Sequence, residues 1–184
     1  MELTVTNIAA EILTIGMYVC LATTFYLKDR RKILTIQFLG SVLLCTAFLL
    51  ISAYTGVAMT IVAMIRNIIF LIDEKINGKS DKIGKKDIVI LVIIYIVMIG
   101  MTIPFYDGIF SLLPLFGTAL FTFAIWQKST KVYKIMGIPF SLIWIFYNLY
   151  VMIWFGVALE SVILISAIIG FILEKKRNLS KEEV

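Results

Sequence analysis

Chemically active side chains are scarce inside the apolar runs of this chain, and the arginine at position 66 is the most unusual of them. Arg66 and Asn67 lie side by side within "AYTGVAMTIVAMIRNIIFLI", residues 53–72. A helix entered at the start of this run would carry Arg66 about 15 Å deep, where a charge costs at least about 2.5 kcal/mol. We therefore expect Arg66 to bind a polar or anionic ligand or to lock helices together through a protein partner. Asn67 is a second binding candidate, although an interhelical hydrogen bond also suits it.

Two carboxylates within the apolar runs could neutralise Arg66 or carry a proton. Glu11 lies in the first run and Glu160 in the last. The chain has no histidine, so proton coupling would have to use a carboxylate. Both acids also lie in the outer halves of their runs, where an ordinary solvated helix end explains them nearly as well as a site does.

A third set of polar side chains shares one helical face. Ser141, Trp144 and Asn148 are spaced i, i+3 and i+7 in "IMGIPFSLIWIFYNLYVMIWF", which aligns them on a helix. A tryptophan beside an amide offers a stacking surface with hydrogen-bond donors and an acceptor, which suits a neutral polar ring such as a sugar, nucleoside or amide. The alternative is a belt of aromatic residues at the membrane interface, but Trp144 lies too deep in its run for that.

Three prolines complete the set of candidates. Pro104, Pro114 and Pro139 fall within or at the ends of apolar runs, where a freed carbonyl can line a cavity and the helix can bend. They are candidate gating hinges, with a static kink as the alternative. The sequence has no Walker loop, no Gly-x-Ser-x-Gly and no paired metal ligands, so we expect no catalytic residues, no metal and no other cofactor.

The elements that must position these residues are transmembrane helices. The chain of 184 residues is 61% hydrophobic and 16% charged, with a mean hydropathy of +1.00, and its apolar residues fill runs of about 20, enough to span a bilayer as helix. Cys20 and Cys45 lie inside such runs and are expected to act as small hydrophobic residues. Gly56, Gly108 and Gly156 are expected to make the tight reversals. The sequence predicts an all-α integral membrane protein with seven spans, at about residues 6–26, 33–52, 56–72, 88–105, 109–126, 135–154 and 156–173.

The cations predict the orientation of these spans. Of the 17 lysines and arginines, 16 lie in alternate connections or in the tail, at residues 28–32, 75–86, 128–134 and 175–181. The positive-inside rule then puts the N-terminus outside and the C-terminus in the cytoplasm, with Tyr54 and Asp107 outside and Lys79 inside. The net charge of +5 is explained by this orientation and by attraction to anionic lipids, so no nucleic-acid partner is expected.

An internal repeat relates the two halves of the chain. Shifting the sequence by 100 positions lays residues 56–75 over residues 156–175 with ten identities in twenty positions. We therefore expect a single membrane domain over 1–184, made of a triple-helix bundle (6–72), a linker helix (88–105), a second triple-helix bundle (109–173) and a cytoplasmic tail (174–184). This is a parallel 3+1+3 repeat, the arrangement found in SWEET-type transporters.

Three segments carry a family resemblance: "FLLISAYTGVAMTIVAMIRN", "SLLPLFGTALFTFAIW" and "WIFYNLYVMIWFGVALE". In them the chain resembles the YgjV-like family of bacterial inner-membrane proteins, which are relatives of the SWEET, PQ-loop and PnuC-type vitamin transporters. The resemblance implies a bacterial inner membrane and two triple-helix bundles, and by analogy it favours Trp144 and Asn148 as substrate contacts. The chain lacks a Pro-Gln pair and carries Arg66 in its third span, which argues against a sugar substrate.

These observations predict a facilitator or proton-coupled carrier of a small polar metabolite, working by alternating access between the two bundles. The alternative is a non-transporting inner-membrane protein that binds lipid or a partner protein, in which Arg66 is structural. Besides the lipid bilayer and the metabolite, a homo-oligomer stays open as a partner. An enzyme is not expected.

Overall fold

The computed structural model is all-helical in the part of the chain that it describes, residues 5–52, 54–76, 83–105, 108–150 and 152–182. Each predicted apolar run forms a helix, and short 3-10 turns at Ile103–Phe105 and Ile109–Leu112 join the fourth helix to the fifth. No strand occurs in these residues. The seven helices are α1 (Val5–Thr24), α2 (Arg30–Leu50), α3 (Tyr54–Ile76), α4 (Lys85–Thr102), α5 (Leu113–Trp126), α6 (Thr130–Tyr150) and α7 (Trp154–Glu182).

Four of the described helices are long and apolar enough to cross a membrane: α1, α2, α6 and the segment Trp154–Lys176 of α7. Helix α5 is apolar but has only 14 residues, fewer than the roughly 20 that span the hydrocarbon core. The membrane class is therefore confirmed, while seven crossings remain a prediction.

The reversals after α2 and α6 are not made by the expected glycines. Gly56 and Gly156 lie inside α3 and α7, whereas Ser52 and Met152 adopt the left-handed conformation, with φ of 56° and 60°. Each of these residues closes its helix by donating a backbone hydrogen bond to the carbonyl three residues earlier, a common way for a helix to end. Only Gly108, with φ of 85°, matches the expectation.

The chain divides into two compact units. The first unit is Met1–Thr24 with Arg31–Lys79, and therefore holds α1, α2 and α3. In it α1 and α2 approach closely at glycines: a Cβ on Gly16 would lie 3.3 Å from Leu43 Cδ1, and one on Gly40 would lie 3.3 Å from Cys20 Cβ. Small residues commonly allow such close contact between membrane helices. Cys20 and Cys45 are free and half-buried, as expected of small hydrophobic residues.

The second unit is Phe25–Arg30 with Ser80–Val184, so α4 groups with α5, α6 and α7. Each of these helices packs on the next along the chain. The antiparallel register of α6 and α7 follows from two contacts: a Cβ on Gly156 would lie 2.6 Å from Asn148 Oδ1, and one on Gly137 would lie 3.1 Å from Ala167 Cβ. The same register puts Trp144 level with Glu160.

The connection after α1 is anchored within the second unit by Phe25. Its ring is fully buried and stacks on Tyr133, with centroids 5.1 Å apart and planes at 16°. Glycines make room for it on both long helices: a Cβ on Gly137 would overlap the edge of the Phe25 ring, and a Cβ on Gly170 would overlap the Phe25 carbonyl oxygen. Gly137 of α6 and Gly170 of α7 thus leave a notch that holds Phe25.

A polar cluster joins the start of α4 to the end of α5. The Asp87 carboxylate pairs with Lys128 Nζ at 3.2 Å and accepts a hydrogen bond from the Gly84 backbone N–H at 2.7 Å. The backbone carbonyl of Asp87 accepts a hydrogen bond from Trp126 Nε1–H at 2.9 Å. Burial raises the pKa of Asp87, but the hydrogen bonds from Gly84 and Lys128, with the charges of Lys128 and Arg30, outweigh burial and hold the pKa below its usual range. The cluster therefore favours an ionised Asp87.

Lys134, expected in the connection before the sixth span, is instead fully buried in α6. Its Nζ pairs with Glu174 Oε2 of α7 at 2.8 Å, and the Glu174 side chain is 16% exposed. The helix begins at Thr130, earlier than the apolar run suggests, because a lysine can be buried once a carboxylate on the neighbouring helix compensates its charge.

Candidate functional site

Arg66 and Asn67 form a buried polar pair on α3 of the first unit. Arg66 is 5% exposed and Asn67 is fully buried. Arg66 Nε and Nη2 both donate to Asn67 Oδ1, at 3.4 and 3.3 Å. The carbonyl oxygen of Asn67 therefore accepts hydrogen bonds from its own helix α3 rather than from a neighbouring helix. The other end of the carboxamide, Asn67 Nδ2, is buried and has no hydrogen-bond partner among the described residues.

The α6 face of the second unit holds two further buried polar atoms. Ser141 is fully buried, and neither its Oγ nor the indole Nε1 of Trp144 has a hydrogen-bond partner in the described part of the chain. The two residues lie one turn apart, as the spacing predicts. A buried polar group left without a partner costs about 1–3 kcal/mol, so these two atoms need an explanation.

Trp144 packs toward α5. A Cβ on Gly117 would lie 2.9 Å from Trp144 Nε1, so the indole can pack here only because residue 117 has no side chain. Two aromatic rings of α6 meet Trp144 edge to face: Phe140 at 6.5 Å and Tyr147 at 5.8 Å between centroids. These contacts fix the orientation of the indole through packing rather than through its N–H.

Asn148 serves a different neighbour. It is buried, its carboxamide fits against Gly156 in the first turn of α7, and its backbone carbonyl accepts the N–H of Ile153 at 2.9 Å. Ser141, Trp144 and Asn148 share a face of α6, but Trp144 is directed at α5 and Asn148 at α7. A stacked tryptophan and amide is therefore not the arrangement seen, and the role of Asn148 in substrate binding stays a prediction.

The two candidate acids lie in contrasting environments. Glu11 is exposed on α1, as a lipid-facing or solvated position would be. Glu160 is 3% exposed on α7, at the level of Trp144 in the α6–α7 register. A buried carboxylate needs compensation, so the solvated helix end considered for Glu160 is wrong. The roles of both acids in charge pairing and proton coupling stay predictions.

The prolines take three positions. Pro139 lies inside α6, Pro114 begins α5 and Pro104 lies in the 3-10 turn after α4. Only Pro139 interrupts a helix, where it removes one backbone hydrogen bond two residues before Ser141. Hinge motion at these prolines stays a prediction.

Sequence reasoning missed Gly117, Gly137 and Gly170, which shape the surroundings of Trp144 and Phe25. The available signal was a glycine inside an apolar helix, which commonly marks close packing. It could have identified the positions but not the side chains that fill them.

An all-helical chain with long apolar helices and polar residues buried among them is a membrane protein, and comparison with known families narrows this class. The chain belongs to the Imp-YgjV family of bacterial inner membrane proteins, whose family model matches residues 8–177. Comparisons with curated proteins and with solved structures found no match to this chain. The relation to SWEET, PQ-loop and PnuC-type transporters stays a prediction.

Proposed function

We propose that the protein carries a small polar metabolite across the bacterial inner membrane by alternating access between two three-helix bundles. The observation that supports it is that each unit holds buried hydrogen-bonding atoms with no partner in the described residues. They are Asn67 Nδ2 in the first unit, and Ser141 Oγ and Trp144 Nε1 in the second. Polar groups inside membrane helices are costly and commonly mark substrate pathways. Within the second unit, a bound metabolite would supply the missing partners of Ser141 and Trp144.

The helix bounds support a parallel repeat. Helix α2 covers 30–50 and α6 covers 130–150, while α3 begins at 54 and α7 at 154. The left-handed residues that end α2 and α6, Ser52 and Met152, are also 100 positions apart. Equivalent helices in two halves are what alternating access by relative movement of two bundles requires.

The proposed orientation has the N-terminus outside and the C-terminus in the cytoplasm. Tyr54, expected outside, begins α3; Lys79, expected inside, and Asp107, expected outside, lie beyond the described residues. Single cysteines at these three positions, in a protein whose own cysteines are replaced, should test the orientation in intact cells. An impermeant maleimide should label positions 54 and 107 but not 79, and labelling at 79 would reverse the topology.

The transport activity can be tested without knowing the substrate. Sugars, nucleosides, amino acids and amides are first tested for raising the thermal midpoint of the purified protein in detergent. Stabilisation follows RT ln(1 + [L]/Kd), so a compound at 100 times its Kd should add about 2.7 kcal/mol. Counterflow of each labelled hit into proteoliposomes then separates transport from binding. Binding without counterflow would refute the carrier.

The alternative function is a non-transporting membrane protein that binds lipid or a partner, and the Arg66–Asn67 bond favours it, because the guanidinium already has a protein acceptor. If Arg66 is structural, Arg66→Ala should lower the thermal midpoint and leave any metabolite response intact. If Arg66 binds substrate, the variant should stay folded and lose the response. Light scattering in detergent would test for a homo-oligomer.

A further inference from the structure

Ser141 differs from three other helical serines whose side chains the structure describes. Ser41, Ser161 and Ser166 each donate their hydroxyl to the carbonyl four residues earlier, at 2.9, 2.7 and 2.8 Å. Such back-bonding is the usual way to satisfy a hydroxyl inside a helix. The Ser141 hydroxyl has no partner among the described residues, although its residue is fully buried. Helical structure alone therefore does not explain this side chain.

Trp144 differs in the same way from Trp126 of the same unit. Trp126 Nε1 donates to the Asp87 carbonyl at 2.9 Å, whereas Trp144 Nε1 has no acceptor in the described part of the chain. An indole nitrogen can donate but cannot accept a hydrogen bond. The missing partner of Trp144 must therefore be an acceptor, which defines part of the chemistry of any molecule that completes the site.

We infer that Ser141 and Trp144 are ligand-binding residues, and that the ligand presents an oxygen acceptor, from a carbonyl or a carboxylate, to Trp144 Nε1–H. Ser141, which can donate or accept, binds a second polar group of the same ligand. Gly117 is a positioning residue because any side chain there would displace the indole. The inference rests on the proposed function and gives its substrate class: a small metabolite with a carbonyl or carboxylate oxygen.

The first test measures the protein without ligand. Removing a buried hydroxyl that has no partner relieves its desolvation, so Ser141→Ala should raise the thermal midpoint by about 2–4 °C. Ser166→Ala is the matched control, because Ser166 is also buried but bonded within its helix, and it should bring no gain. A lower midpoint for Ser141→Ala would show that the hydroxyl has a partner within the protein, and would overturn the inference.

The second test uses three probes of one size: benzamide, benzoate and benzylamine. Benzamide offers a neutral carbonyl, benzoate a carboxylate, and benzylamine at neutral pH only donors. Binding is followed by the shift in thermal midpoint. We expect benzamide or benzoate, but not benzylamine, to stabilise the wild type, and the responding probe identifies the acceptor. Equal shifts with all three, or no shift with either acceptor, would contradict the assigned class.

The variants connect the probe response to the named atoms. Trp144→Phe keeps a ring but removes the donor and should weaken binding of the responding probe about tenfold, the loss of roughly one hydrogen bond. Gly117→Ala should weaken it similarly by moving the indole. Trp126→Phe, the matched control, should lower the midpoint of the free protein but leave binding unchanged. Unchanged binding in both Trp144→Phe and Gly117→Ala would overturn the site.

Failure of this site can be told apart from failure of the carrier function. Suppose that a library metabolite stabilises the wild type and is transported by it, and that Ser141→Ala and Trp144→Phe respond equally. The carrier function then stands, and these residues are not its site. If binding depends on Ser141 and Trp144 but no bound compound is transported, the site stands and the carrier function fails.

Discussion

The notch that holds Phe25 gives a prediction whose sign depends on which atoms would collide. Phe25→Ala removes a fully buried ring and the stacking on Tyr133. Truncating a buried phenylalanine to alanine in a protein core costs about 3–5 kcal/mol. Phe25 lies directly after the end of α1, near the expected membrane–water interface, where the space left by the ring can be filled more easily than in a closed core. We therefore expect Phe25→Ala to lower the free energy of unfolding by about 3 kcal/mol. For a chain of this size that lowers the thermal midpoint by about 6–12 °C.

The two glycines of the notch should then behave oppositely. A Cβ on Gly137 would overlap the Phe25 ring, lying 2.7 Å from its Cζ, whereas a Cβ on Gly170 would overlap the Phe25 backbone carbonyl. Each Gly→Ala change alone should cost about 1–3 kcal/mol from overpacking. In the Phe25→Ala background the first collision disappears, because the ring is gone, while the collision with the backbone remains.

A double-mutant cycle measures this difference. Gly137→Ala should cost less in the Phe25→Ala background, where the 3.1 Å contact with Ala167 Cβ remains but the collision with the ring is gone, and the coupling energy should be about 1–3 kcal/mol. Gly170→Ala should cost the same in both backgrounds. The assay is the thermal midpoint in one detergent, with monodispersity checked by gel filtration. Additive effects for the Phe25 and Gly137 pair would refute the notch, and so would rescue of Gly170→Ala by Phe25→Ala.

Three further predictions concern charged residues. Asp87→Asn should cost about 2 kcal/mol of stability at neutral pH. Because the pKa of Asp87 is lowered in the folded protein, the carboxylate stabilises the fold fully above the usual pKa near 3.9 and loses this effect as the pH falls toward the folded pKa. The thermal midpoints of wild type and variant should therefore converge below about pH 4. Glu174→Gln, which leaves the fully buried Lys134 charge without its carboxylate, should cost about 3–5 kcal/mol; Lys134→Met should cost less because Glu174 is partly exposed, and an equal or reversed order would contradict the buried pair. Arg66→Ala should leave Asn67 with a buried carboxamide that has lost its donor, which costs about 1–3 kcal/mol; Asn67→Ala added to it should restore part of that loss, and no recovery would argue against the bond between them.

Much of the fold could be predicted because long apolar runs in a sequence indicate membrane helices. The runs that predict α2 and α6 need only be about 20 apolar residues long, and the structure places helices at both. The turns were predicted less well. Gly56 and Gly156 fell inside helices, because helix ends depend on how Ser52 and Met152 close the last turn, and non-glycine residues can adopt that conformation at a modest cost.

The sequence by itself determined the membrane class, the seven helices and the shared face of Ser141 and Trp144, because all three follow from local composition and from a period of 3.6 residues. Only the tertiary structure decided which neighbours these side chains meet. That Trp144 rests on Gly117, that Asn148 turns to Gly156 and that Lys134 is buried beside Glu174 depend on helix register and on contacts between residues distant in the chain. A hydrogen bond acts over about 3 Å, so a sequence can predict a polar face but not whether its atoms find partners.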